Sequence, residues 1–125
     1  MRIGRGRVGR RKGDGKFMEL IQGIVRPDKV EAVKDALARA GISGLTVIEV
    51  RGHGQQRGHT AVYRGREYQV SLLPKMLIEC VAPDHLVEPA VQAVIDAART
   101  GQVGDGRVFV TPVPAGYRIR TGERE

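Results

Sequence analysis

Two glycine clusters and a pair of arginines carry the chemistry legible in this chain. The first cluster, GHGQQRGHTAVYRGREY from Gly52 to Tyr68, has glycines at 52, 54, 58 and 65. Glycine removes side-chain bulk and accepts positive φ, so such a segment can bring its own backbone N–H groups up to an anion. It cannot bury enough apolar surface to fold by itself, and ordering all of it would cost on the order of 10 to 30 kcal/mol of conformational entropy. A small ligand therefore fixes only its base. The second cluster is TGQVGDGR, Thr100 to Arg107. Its Gly104, Asp105 and Gly106 can present successive N–H groups in a concave nest, with Arg107 beside them. Near the C-terminus, YRIRT sets Arg118 and Arg120 two apart, on one side of the chain if it is extended. Three guanidinium groups could then converge on a polyphosphate through forked, charge-assisted hydrogen bonds. A lone GDG is a common turn, and it is the conjunction of turn, arginine pair and glycine loop that points to an anion. Neither cluster matches GxxxxGK[ST] or GxGxxG, so the usual phosphate-loop folds are not supported.

Catalysis finds little purchase. No Ser, His and acid grouping has a plausible nucleophile setting, and Cys80 sits within the apolar run KMLIECV, where a buried, unreactive thiol is expected. His53, His59 and His85 lack metal-ligand spacing and read as solvated imidazoles. The chain contains no Asn, which counts against acylphosphatase-like chemistry with its Arg and Asn pair. An RNA-recognition module would need stacking aromatics. GRVFV offers only Phe109, and MELIQGIV offers none.

These residues must be held by a modest set of elements. MELIQGIVR, from Met18 to Arg26, is partly alternating and predicts a strand with Ile21, Gly23 and Val25 on one side. Pro27 ends it and opens a helix in which Val30, Val33, Leu37 and Ala40 recur at spacings of three and four, closed by Gly41. LTVIEVR predicts a second strand, and the glycine loop follows. EYQVSLL and KMLIECV, interrupted by Pro74, read as strand material. Val87, Val91, Val94, Ile95 and Ala98 form a second helical stripe, with Asp84 as a possible cap and Pro89 as an awkward member. Gly101 ends that helix, RVFV forms the fourth strand, and Pro112 and Pro114 break it. The order predicts an α+β fold, a ferredoxin-like split βαβ sandwich (βαββαβ) with four antiparallel strands and both helices on one face. Apolar positions on both sides of several strands require cover for the other face, which an oligomer would supply.

Length and charge bound the rest. A chain of 125 residues is one domain by the usual prior, and its 41% hydrophobic content describes an ordinary globular protein. The net charge of +7 is concentrated at one end, since residues 1–17 hold a net of +6 and residues 18–125 a net of +1. The segment 1–17 is Gly and Arg with almost nothing to bury, and reads as a basic, disordered extension before a single domain at 18–125. Nonspecific contact of that tail with RNA or anionic lipid is one alternative, and an initiator at Met18 is another. No specific nucleic-acid partner is expected. The single cysteine excludes an internal disulfide, and neither a spanning apolar run nor a secretory signal is present, which suggests the cytoplasm.

From Met18 onward the chain resembles the P-II nitrogen-signalling proteins. The likeness is carried by RPDKVEAVKDAL, GLTVIEVRGHG, QRGHTAVYRGREYQV, LPK, ARTGQVGDGRVFV and YRIRTGE. It implies a homotrimeric sensor, not an enzyme, that binds ATP or ADP between subunits and 2-oxoglutarate through a magnesium ion held by ATP. No catalytic cofactor is implied. By resemblance, Gly104, Asp105, Gly106 and Arg107 cradle phosphates, joined by Arg118 and Arg120 of a neighbouring subunit, while Thr46, Gly54, Gln55, Glu79 and Val81 line the rest of the nucleotide cleft. Gln56 would ligate the magnesium and Lys75 would pair with a carboxylate of 2-oxoglutarate. The glycine loop corresponds to the family's T-loop, which engages targets such as an ammonium transporter or an enzyme of nitrogen metabolism. Tyr68 matches the tyrosine that a uridylyl- or adenylyltransferase modifies in relatives. This chain departs from the family pattern at several positions. Gln55 stands where Arg is usual, which removes one phosphate contact. His53 replaces Phe, Leu77 replaces Lys, Ser71 replaces Asp, and Arg107 keeps the charge of a usual Lys while changing its geometry.

Overall fold

The computed structural model describes residues 17–53, 60–63, 66–69 and 72–125. The basic segment 1–16 lies outside them, as do Gly54, Gln55, Gln56 and Ser71. Strand β1, Met18–Val25, alternates strictly between buried and part-buried positions, with Glu19, Ile21, Gly23 and Val25 turned inward. Arg26 takes the extended conformation that a following proline imposes. Pro27–Lys29 then make one 3₁₀ turn before helix α1, Val30–Arg39. Val33 and Leu37 on its inner stripe are fully buried.

The end of α1 is set by Gly41, whose φ of 97° lets the chain reverse. The Gly41 N–H donates to the Ala38 carbonyl at 3.1 Å and the Ile42 N–H to the Leu37 carbonyl at 2.9 Å, a Schellman closure that drops Ile42 into the core. Strand β2, Thr46–Gly52, leads to a short antiparallel hairpin of β3, Thr60–Tyr63, and β4, Arg66–Gln69. The glycine-rich stretch thus contains paired strands, because TAVY supplies β-branched and aromatic residues beside a two-residue connection. Of the strand expected at EYQVSLL, residues 67–69 belong to this hairpin, Leu73 opens the next strand, and residues 70 and 71 lie outside the described residues.

Strand β5, Leu73–Pro83, runs through Pro74, which sequence reasoning treated as an interruption. Among the described residues, the strand at Pro74 has a neighbour on one side only, Arg51 of β2, because pairing with β1 starts at Met76. The missing N–H therefore need not break a two-sided ladder. Helix α2, Asp84–Ala98, follows directly. The N-cap position falls on Pro83 rather than on Asp84. Asp84 is the first helical residue, buried, and its N–H donates to the Phe17 carbonyl at 2.8 Å. Pro89 lies five residues in and forgoes one helical bond. Strand β6, Gly106–Val113, is longer than RVFV and includes Pro112, which an edge strand tolerates.

The main sheet has the order β2-β5-β1-β6, every pair antiparallel, with the two helices packed together over its inner face. This is the ferredoxin-like βαββαβ arrangement that the sequence predicts. Ile21, Val25, Val33, Leu37 and Val94 form its driest layer. Each contributes about 1.5 to 3 kcal/mol by burial. Among the described residues no helix is long and apolar enough to cross a membrane.

Among the described residues nothing covers the outer face. Register places Leu20 between Val81 and Thr111, and Ile24 between Leu77 and Arg107, all on the side away from the helices. Val81 is 48% exposed, Phe109 46% and Ile48 40%, so an apolar sheet face meets solvent in a single chain.

Candidate anion-binding site

The turn from Thr100 to Arg107 joins α2 to β6 and is shaped by its own aspartate. The Asp105 carboxylate accepts hydrogen bonds from the N–H groups of Thr100 and Gly101, both at 2.8 Å, and from the Thr100 hydroxyl. That hydroxyl in turn accepts the Gln102 N–H at 3.1 Å. Positive φ at Gly101, Gly104 and Gly106 lets the ring close around the carboxylate. These donors, with Arg26 adding a charged one, hold the Asp105 carboxyl far below the usual carboxylate range.

Two cations from other strands reach the same turn. Arg26, at the end of β1, donates from Nε to Asp105 Oδ1 at 3.2 Å and from Nη2 to the Val103 carbonyl at 2.9 Å. Lys75, near the start of β5, donates from Nζ to the Gly104 carbonyl at 2.7 Å. Partial burial lowers the Lys75 pKa first, the neighbouring Arg26 charge lowers it further, and Asp105 opposes both. With Arg26, Lys75 and Arg107 around one ionised Asp105, the turn gathers net positive charge, which can receive an anion.

The remaining candidates fall into three groups. Thr46 and Glu79 are direct register partners on β2 and β5, and Val81 lies two residues further along β5 on the same outer face. The Glu79 carboxylate accepts a bond from Gln22 Nε2 at 2.6 Å across β1 and β5. Arg107, at the start of β6, shares that face with them, at the opposite edge of the sheet. Gly54, Gln55 and Gln56 lie outside the described residues, and Tyr68 is paired with Ala61 in the β3-β4 hairpin.

Arg118 and Arg120 do not lie on an extended strand. The Gly122 N–H donates to the Arg118 carbonyl at 2.7 Å and the Arg118 N–H to the Glu123 carbonyl at 2.9 Å, so the chain folds into a tight turn closed by a Tyr117–Arg124 bridge. Gly122, with φ of 73°, permits this reversal, which the alternation of YRIR conceals. The equal spacing of the two arginines therefore does not place them on one strand face.

Comparison with known proteins decides the family. The family profile described as "Nitrogen regulatory protein P-II" matches residues 18–123. The chain belongs to the P-II family. It is 53% identical over 107 residues to the nitrogen regulatory protein P-II of Azospirillum brasilense, covering 86% of this chain and 96% of that one. The Rhodobacter capsulatus P-II protein is 52% identical over 106 residues, covering 85% and 95%. Nitrogen regulatory protein P-II 1 of Escherichia coli K12 is 50% identical over 108 residues, covering 86% and 96%. The P-II assignment accounts for residues 18–123, and the segment before them is outside the match.

Other groups in this P-II chain are chemically quiet. Cys80 is buried on the inner face, and burial pushes its thiol up, in agreement with the inert thiol read from the sequence. His53 and His85 are exposed. Among the described residues no cluster of three His, Cys, Asp or Glu side chains is placed to hold a metal.

Sequence reasoning missed Arg26 and Thr100. Arg26 precedes a proline at a strand end, and Thr100 stands five residues before Asp105. A hydroxyl and a carboxylate flanking a glycine-rich turn are the signal that could have found the closed ring.

Proposed function

We propose that this P-II chain is a signal-transduction protein, not an enzyme, that senses ATP against ADP together with 2-oxoglutarate and regulates protein targets of nitrogen metabolism through its T-loop. The observation that supports this most is the anion-ready turn at 100–107, with Arg26 and Lys75 already directed at it. In the proposed cleft, Gly104, Asp105, Gly106 and Arg107 take the phosphates. Arg118 and Arg120 of a neighbouring subunit complete the charge, and Thr46, Gly54, Gln55, Glu79 and Val81 line the remainder. The uncovered sheet face supports a homotrimer, since burying it against copies of itself removes the exposed apolar area. Gln56 would hold a magnesium ion through its amide oxygen, which suits such a hard cation, and the ion would supply positive charge beside the ATP phosphates. Lys75 would pair with a carboxylate of 2-oxoglutarate, and Tyr68 would be the position for a nucleotidyl group that blocks a close-fitting partner. The protein would act in the cytoplasm.

Ligands can shift the T-loop only through different affinities for its two arrangements. The test is calorimetric titration of ATP, ADP and 2-oxoglutarate, with and without magnesium. Binding of both nucleotides, with 2-oxoglutarate binding only beside Mg-ATP, is the expected result. Absence of nucleotide binding would overturn the proposal.

A second reading, an adenine-nucleotide sensor that ignores 2-oxoglutarate and serves another pathway, is favoured by one contact. The Lys75 ammonium is already bonded to the Gly104 carbonyl, and an incoming acid must compete with it. Nucleotide binding without any 2-oxoglutarate response would select this reading.

A further inference from the structure

The 100–107 turn cannot lean on the core for its shape. Behind it lies an apolar groove between α2 and the sheet, lined by Val91, Val94, Ile95, Ala98 and Val108, and α2 touches β6 only sparsely. Packing of the kind that fixes a core side chain is thin there, and directed polar bonds must supply the order instead.

Among the described residues four donors serve the Asp105 carboxylate, and three of them come from Thr100 and Gly101 inside the same turn. The fourth, Arg26, comes from another strand and carries a charge. Its stem starts from a fixed backbone. β1 pairs on both sides up to Val25, and the Arg26 carbonyl accepts the Lys29 N–H at 3.0 Å in the turn that follows. The side chain is mostly covered and commits two separate donors to the turn, one to Asp105 and one to the Val103 carbonyl. A planar guanidinium holding two acceptors at once fixes their separation, which a single ammonium cannot do. It also cancels the charge of a carboxylate that would otherwise repel an arriving phosphate.

We infer that Arg26 is a positioning residue for the phosphate cradle, holding Val103 and Asp105 so that Gly104 to Arg107 keep the shape that receives the polyphosphate of an adenine nucleotide. This rests on the proposed function above. Arg26 acts through Asp105 and Val103, without touching the ligand. Lys75 is a second tie, but in the proposed function it is also a ligand contact, so the turn keeps Arg26 when Lys75 turns to an acid.

The test is ADP titration of the full chain and of the variants Arg26→Gln, Arg26→Lys, Asp105→Asn and the double Arg26→Gln/Asp105→Asn, each with a thermal melt. Arg26→Gln is expected to weaken ADP about tenfold, the order seen when a charge-assisted contact that orders a binding loop is lost. Arg26→Lys, which keeps the charge without the fork, should fall between it and the unaltered chain. Because Arg26 works in part through Asp105, the loss in the double variant should be smaller than the two single losses combined. A fall in melting temperature with ADP affinity intact would make Arg26 merely structural and overturn the inference. Fully additive losses would make Arg26 a direct ligand contact and overturn it as well. Should Arg26→Gln fail to fold, Arg26→Lys decides, and an affinity equal to that of the unaltered chain defeats the inference. Failure of the unaltered chain to bind ADP would defeat the proposed function instead.

Discussion

The carbonyl oxygen of Ile24 occupies the space into which a side chain at Gly106 would project. A Cβ on Gly106 would overlap that oxygen and crowd the Ile24 carbonyl carbon at 2.9 Å, and the backbone there has φ of 110°. β1 and β6 can close against each other at this point only because residue 106 has no side chain. The first strand thereby sets where the turn after α2 ends and β6 begins.

Gly106→Ala should accordingly be severe. Overpacking against backbone and strain at positive φ together cost about 3 kcal/mol or more. The melting temperature should fall by about 10 °C or more, and nucleotide binding should be lost with it. Thermal denaturation followed by circular dichroism measures the first, and an unaltered melt would show that β1 and β6 need not approach as closely as they do here.

Asp105 should stay ionised far into acid. Its folded pKa lies below that of a free aspartate, about 3.9, so the stability it contributes is complete above that value and is lost only as pH falls through the lower folded value. The side-chain carboxyl carbon of Asp105, followed by NMR, should keep its carboxylate shift between pH 7 and about pH 3, where an unshifted aspartate is already mostly protonated. A midpoint near the free value would show that the Thr100, Gly101 and Arg26 donors do not hold it.

The sequence made the scaffold legible because burial imposes its period on it. Val33 and Leu37, or Val87, Val94 and Ala98, announce their helices through spacing, and Ile21 and Val25 announce the inner side of β1. What stayed hidden depended on contacts distant in sequence. Pro74 looked like a strand breaker until its single-sided pairing with Arg51 was visible. Arg118 and Arg120 looked like strand neighbours until hydrogen bonds from Gly122 and Arg118 closed a turn there. The turn at 104–107 was readable from its glycines alone. Its dependence on Arg26 was not, since nearly eighty residues separate that side chain from Asp105, and no local pattern encodes the pair.

The outer sheet face should be buried between copies of the chain. Leu20 lies on that face in the inner strand β1, flanked in register by Val81 and Thr111. Light scattering should give the molar mass of an oligomer, and Leu20→Glu should shift it toward the monomer, since an unpaired charge in an apolar interface is strongly disfavoured. A monomeric mass for the unaltered protein would leave the face without the cover proposed for it.

Lys75 provides the sharpest separation between the two functional readings. Its ammonium is the group assigned to a carboxylate of 2-oxoglutarate, and it is bonded to the Gly104 carbonyl through backbone that the nucleotide phosphates would also use. Lys75→Ala removes the charge but leaves Arg26 holding the turn through Asp105 and Val103. The variant should therefore lose 2-oxoglutarate binding by about a hundredfold, the scale of a charge-assisted pair in a partly buried site, while ADP affinity changes by less than about threefold. Calorimetry with Mg-ATP present measures the acid, and a separate ADP titration measures the turn. Unchanged 2-oxoglutarate affinity would remove Lys75 from the acid site. A parallel collapse of ADP affinity would mean that the Lys75 tie, rather than Arg26, carries the shape of the cradle.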